Sequence, residues 1–109
     1  MPTTYKVLGQ VNPAATTATT LYTVPSATQA VVSTIVISNL TTSNATFRIA
    51  VRPGGATLAN QHYVAYDVTV GASDSTALTL GITLGAADVI TVYGSSASIA
   101  FAAFGSEIS

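Results

Sequence analysis

The chain has no cysteine, no tryptophan and a single histidine, and each shortage closes off a kind of chemistry. Without cysteine there is no disulfide framework and no thiolate metal site, and the redox compartment stays open. With one histidine, a transition-metal centre would have to take its remaining ligands from carboxylates. Charge is scarcer still. Charged residues make up 6% of the 109 positions, against about 25% in an ordinary soluble domain. They are Lys6, Arg48, Arg52, Asp67, Asp74, Asp88 and Glu107. So few basic groups exclude a nucleic-acid face, which needs clustered Lys or Arg, and a polybasic patch for a membrane surface. No apolar run reaches the roughly 20 residues of a membrane-spanning helix. The densest run, Val31 to Ile37, is short, β-branched and broken by hydroxyls. The opening "MPTTYKVLGQ" has no basic region followed by an apolar stretch, so no secretory signal is expected.

What is present is strand. Thr, Val, Ile, Ala and Tyr dominate, punctuated at short intervals by Gly, Pro, Asn and Ser. Three runs alternate with the two-residue period of a half-buried strand. In "TFRIAVR", Phe47, Ile49 and Val51 point inward while Arg48 and Arg52 point out. In "TALTLGITL", Leu78, Leu80, Ile82 and Leu84 share one face. In "SIAFAAF", Ile99, Phe101 and Ala103 oppose Ser98, Ala100, Ala102 and Phe104, and the small apolar residues on that second face suit a strand covered on both sides. Further strands are expected over 4–10, 20–24, 30–39, 61–70 and 89–93. The stretch "NLTTSN" (39–44) reads as a hairpin closure, and "RPGG", "GASDS", "LGAAD" and "YGSSA" as turns between the later strands. This gives one all-β domain over residues 1–109, a single antiparallel β-sandwich of about eight strands, jelly-roll-like. Residues 11–20, "VNPAATTATT", read as an Ala/Thr-rich extended surface connection.

Groups able to do chemistry are few and scattered. On a regular strand His62 would share a face with Val64, Tyr66 and Val68, and Asp67 would face the other way with Tyr63 and Ala65. His62 is therefore read as structural or interfacial. Asp67, Asp74 and Asp88 lack calcium-loop spacing, and the last two each precede a strand, where Asx turns sit. Gly54-Gly55 lacks the lysine of a phosphate loop. No catalytic, cofactor-binding or metal-ligating residue is assigned, no cofactor is expected, and the chain is read as a non-enzyme. The tyrosines Tyr5, Tyr22, Tyr63, Tyr66 and Tyr93 could stack on a sugar or simply pack at the sandwich edge. Arg48 and Arg52 either solubilise an edge or reach a carboxylate on a neighbouring subunit.

The order of several segments carries a resemblance. "LYTVP" followed by "AVVSTIVISN", then "TFRIAV", "LTLGITL" leading into "DVITVY", and the closing "FGSEI" span Leu21 to Ile108. In that order they resemble a family of small virion structural proteins of tailed bacteriophages. The resemblance implies a β-sandwich module found on phage particles, in short stand-alone proteins and within longer tail-associated ones. It brings no catalytic motif and leaves the location on the particle open, with the outer surface of the virion as the expected one. The leading expectation is a capsid decoration or cement protein bound to the major capsid protein or other virion proteins, itself a homo-oligomer, trimer or dimer. The alternatives are a neck, tail or fibre-associated protein, or a host-attachment module that binds glycans. Expected interface residues are Arg48, Arg52, Phe104, Glu107 and Ile108, with "FGSEIS" as a tail ending at a subunit contact.

Overall fold

The alternating runs become the strands of two facing sheets. The computed structural model describes residues 3–79 and 81–109. In chain order the strands are β1 (Thr3–Val11), β2 (Thr19–Thr23), β3 (Gln29–Asn39), β4 (Ala45–Arg52), β5 (Tyr63–Val70), β6 (Ser75–Leu78), β7 (Ile82–Leu84), β8 (Val89–Gly94) and β9 (Ile99–Ile108). The first sheet runs β1-β9-β3-β6, with β7 also on β3, and the second runs β2-β8-β4-β5. All pairings are antiparallel. If β6 and β7 are taken as one interrupted strand, each early strand pairs with its late counterpart: β1 with β9, β2 with β8, β3 with β6 and β7, and β4 with β5. That pattern is one long hairpin folded over on itself, the winding of a jelly roll.

The inward side chains are those the period of two selects. Phe47, Ile49, Ile90 and Val92 from the second sheet meet Val32, Ile35, Ile37, Ile99, Phe101 and Ala103 from the first, all of them buried. Phe47 and Phe101 pack edge to face across the gap, with ring centroids 6.3 Å apart. A polar hub closes one end of this core. The amide of the buried Asn39 donates to the carbonyls of Ser43 (2.8 Å), Val70 (3.2 Å) and Gly71 (3.1 Å), and its oxygen accepts from the Thr41 N–H at 3.0 Å. Those carbonyls lie at the end of β5 and in the segments that follow β3 and β5, where the regular ladder stops, and a side chain satisfies them.

Five local expectations change. The run "TALTLGITL" is two short strands, split before Gly81, which sits at φ 62°. Leu78, Ile82 and Leu84 do share the inward face, opposite Ile35, Val32 and Ala30, whereas Leu80 lies outside the described residues. Residues 39–44 close no hairpin, because β3 and β4 belong to different sheets and the segment crosses between them. Strand β5 begins at Tyr63, after a turn of 3-10 helix over Asn60–His62. Residues 11–20 are a mostly exposed surface connection only over 12–18, and they turn there rather than run extended. Val11 ends β1 and Thr19 begins β2, Pro13 is buried, and Thr16 turns through φ 53° with its N–H on the Gly94 carbonyl at 2.8 Å.

The fifth change concerns the C-terminal residues. Gly105 to Ile108 are no tail: β9 continues through them, between β1 and β3. The neighbours bulge where they pass Phe104, β3 leaving Ser33 unpaired and β1 leaving Leu8 unpaired. Just beyond, Gly105 lies so close to β3 that a Cβ there would overlap the Val31 carbonyl oxygen. Gly105→Ala is therefore expected to lower the unfolding free energy by about 1–3 kcal/mol, the usual cost of overpacking, read from the urea midpoint. An unchanged midpoint would mean that β9 is not held this way beyond Phe104.

Candidate functional site: the two outward faces

With the large apolar side chains turned inward, the outward faces carry what is left, and the two sheets differ. On the first sheet, ladder register lines up Gln10, Ala102, Val36 and Ala77 in one row. Val7, Phe104 and Thr34 form the next, and Tyr5, Ser106, Val31 and Thr83 another. None of these residues is charged. Ala100 and Ala102 keep the middle low, and a groove of about 440 Å3 runs over them between Gln10, Asn12, Val36 and Ser38. A second hollow of about 540 Å3 lies among Tyr5, Val7, Val31 and Phe104. Tyr5 is 83% exposed and Val7 48%, both on the edge strand β1.

The outward face of the second sheet holds Arg48, Arg52 and Asp67. A β-bulge sets the geometry. In the ladder between β4 and β5, Phe47 pairs with Val68 and Ile49 with Ala65, so Tyr66 and Asp67 together oppose Arg48. Asp67 takes φ 52°, a conformation that Asp adopts more readily than most residues. Strict alternation would send Tyr66 and Asp67 to opposite faces, whereas the bulge delivers both to Arg48. The Arg48 Nε donates to Asp67 Oδ1 at 2.6 Å. Its guanidinium carbon lies 4.2 Å from the ring centroids of both Tyr66 and Tyr93, so the cation is held between two aromatic rings. The hydrogen bond with Asp67 holds the Arg48 pKa above its ordinary range. Tyr63 packs edge to face on Tyr66 at 4.9 Å.

The carboxylate that Arg48 meets is thus its own chain's. Arg52 is likewise engaged internally. Its Nε donates to the Ala56 carbonyl (2.8 Å), one terminal nitrogen to the Gly55 carbonyl (3.1 Å) and the other to Thr91 Oγ1 (3.1 Å). It thereby holds the turn after β4 against β8. Asp88 fastens the same turn, accepting from the N–H groups of Gly54 and Gly85, each at 2.8 Å. The ring of His62 accepts the Ala59 N–H at Nδ1 (3.1 Å), which closes the 3-10 turn ahead of β5.

Glu107 lies at the far end of the first sheet and ties three strands together. It accepts the Tyr22 hydroxyl of β2 at 2.5 Å and pairs with Lys6 of β1 at 3.0 Å. The hydrogen bond from Tyr22 and then that from Lys6 hold the Glu107 carboxyl below the usual carboxylate range, while burial and then Glu107 push the Tyr22 phenol up. Of the expected interface residues, Phe104 lies on the uncharged face, and Ile108 borders a hollow with Thr28, Gln29 and Ala86 at the sandwich end. Arg48, Arg52 and Glu107 are fastened within the chain. Among the described residues, no three of His, Asp and Glu are grouped so as to hold a metal ion.

In comparisons with known proteins, no family model and no curated protein matches the chain.

Because the folded Glu107 titrates below its unfolded value of about 4.3, its stabilisation is complete above that pH and is lost as pH falls through the lower folded value. Glu107→Gln should cost about 1 kcal/mol at neutral pH, since the Lys6 end of the pair is half exposed. Its thermal midpoint should converge with that of the native chain as the pH is lowered past the folded value. A difference that stays constant across this range would rule out the ionised carboxylate as its source.

Proposed function

We propose that the chain is a non-enzymatic structural protein of a tailed-bacteriophage particle: a capsid decoration or cement protein that binds the outside of the assembled shell and stabilises it. One observation carries this reading. The first sheet offers uncharged outward rows, low over Ala100 and Ala102, beside an open edge strand, while Arg48, Arg52 and Asp67 lie on the other face and are engaged there. Charge depletion with apolar and aromatic content marks the cores of protein interfaces. The segment order from Leu21 to Ile108, which resembles that of phage virion proteins, supplies the setting. Jelly rolls are used by viral capsid domains and lectins alike, so the architecture supports the setting without deciding it.

The size of the face bears on how such a protein would hold on. Four strands about 4.8 Å apart and about 30 Å long present roughly 570 Å2 of flat area to a face-on contact. Closed self-association, as a trimer or dimer, would multiply it, because linked sites bind with an avidity beyond that of any one. Cementing follows by mass action, since a protein that binds the assembled shell better than free subunits favours assembly. The occupant of the uncharged face in this reading is the major capsid protein.

Quantitative mass spectrometry of purified particles against the major capsid protein tests the reading. The expected result is a near-stoichiometric copy number, together with loss of particle binding in Val36→Asp at an unchanged thermal midpoint. A small ring-like copy number would replace the decoration role with a neck or tail role. Absence from the particle would overturn the virion reading.

A further inference from the structure

The second sheet carries an aromatic cleft on the side away from the docking face. Asn60, Tyr63 and Tyr66 line an open cleft of about 320 Å3 at the β5 edge, within the size range of small-ligand sites. Tyr66 is 55% exposed, yet its ring is not free to swing: the Arg48 guanidinium stacks on it at 4.2 Å and Tyr63 packs on it at 4.9 Å. Arg48 is fixed in turn by Asp67 and by Tyr93 beneath it. An exposed aromatic ring fixed in this way meets a ligand without first losing rotamer freedom. Beside it, the exposed Asn60 side chain makes no hydrogen bond among the described residues, leaving an amide that can both donate and accept.

We propose that this cleft binds a neutral saccharide. A pyranose ring has a face of C–H groups that packs on an aromatic ring and a rim of hydroxyls that pairs with an amide. Tyr66 with Tyr63 supplies the first partner, and Asn60 the second. Charge argues against an anionic ligand, because the nearby cation, Arg48, is enclosed between two rings and bonded to a carboxylate. Tyr63, Tyr66 and Asn60 are the contact residues in this proposal, and Arg48 is a positioning residue that acts through Tyr66. The inference goes beyond the particle reading and does not rest on it. The cleft lies on the sheet opposite the proposed docking face, so a docked molecule would present it outward.

The test uses the intact, isotopically labelled chain, titrated with cellohexaose, maltohexaose and chitohexaose up to their solubility limits and followed by 1H–15N correlation spectra. With at least one sugar, saturable shifts should centre on residues 60–67. Tyr66→Ala and Asn60→Ala should each weaken that binding about tenfold or more, equivalent to about 1.4 kcal/mol. Tyr5→Ala, on the opposite sheet, should leave it unchanged. Arg48→Lys keeps the charge and loses the planar stack, and should weaken binding by a smaller factor. Retained spectral dispersion in each variant separates lost binding from lost folding. No saturable shift at 60–67 with any of the three sugars, or binding that survives Tyr66→Ala, would overturn the proposal. Either result leaves the copy number on the particle unaffected, so the two readings fail separately.

Discussion

The edge-to-face contact of Phe47 with Phe101 is the interaction around which the molecule is arranged. The two rings come from the middle strands of opposite sheets and set what can pack beside them. The space around them is filled by Ile35, Ile37, Ile49, Ile90 and Ile99, stiff β-branched side chains that suit a pleated surface. Placing these residues inward leaves Ala100, Ala102, Ser38 and Val36 for the outward side of the first sheet. The low, neutral outer face is therefore a consequence of how the core is filled. A chain this poor in charge has little else to put there.

The few charges that exist are set against partners rather than spread over the surface. Lys6 meets Glu107, Arg48 meets Asp67, Arg52 holds turn carbonyls, and Asp88 holds turn N–H groups. Pairs like these contribute little to stability where they are exposed. Their effect lies in position: Glu107 joins the end of β9 to β1 and, through Tyr22, to the other sheet. Arg52 and Asp88 fix the loop after β4 from both sides. The outward field of the molecule is consequently weak, and association through its faces should depend little on salt.

The architecture was readable from the sequence because the signal it rests on is local. Alternation in "TFRIAVR" and "SIAFAAF" assigned inward and outward side chains correctly, and turn residues marked most strand ends. Two of the errors share one cause, the neglect of partners distant in the chain. Whether residues 39–44 close a hairpin or cross between sheets depends on which strands β3 and β4 join, and neither partner adjoins that turn in sequence. "FGSEIS" has the composition of a loose end, yet its backbone groups are taken up by β1 and β3. The Arg48 cluster was missed because a period of two has no place for an inserted residue. The one available clue was an Asp amid strand residues, a residue that tolerates positive φ.

That inserted residue also sets the β5 edge of the second sheet apart from the β1 edge of the first. An exposed edge strand invites another strand to pair, and a bulge or a charge at the edge discourages it. Strand β5 has both, in Asp67 at φ 52° and in the carboxylate it shows beside Arg48. The same bulge turns Tyr66 onto Arg48 and fixes its ring, so one irregularity both protects the edge and builds the cleft wall. Strand β1 is protected less. Its bulge at Leu8 lies toward its inner half, and Tyr5 and Val7 stand exposed in the stretch beyond it. Its charge, Lys6, is paired with Glu107 and is about as exposed as Asp67, so the difference between these edges lies in the bulge and the exposed apolar residues. The neutral face and the less guarded edge thus adjoin, so in the proposed reading the first sheet is the side another protein chain would approach and the second sheet, with its fixed aromatic cleft, would face away.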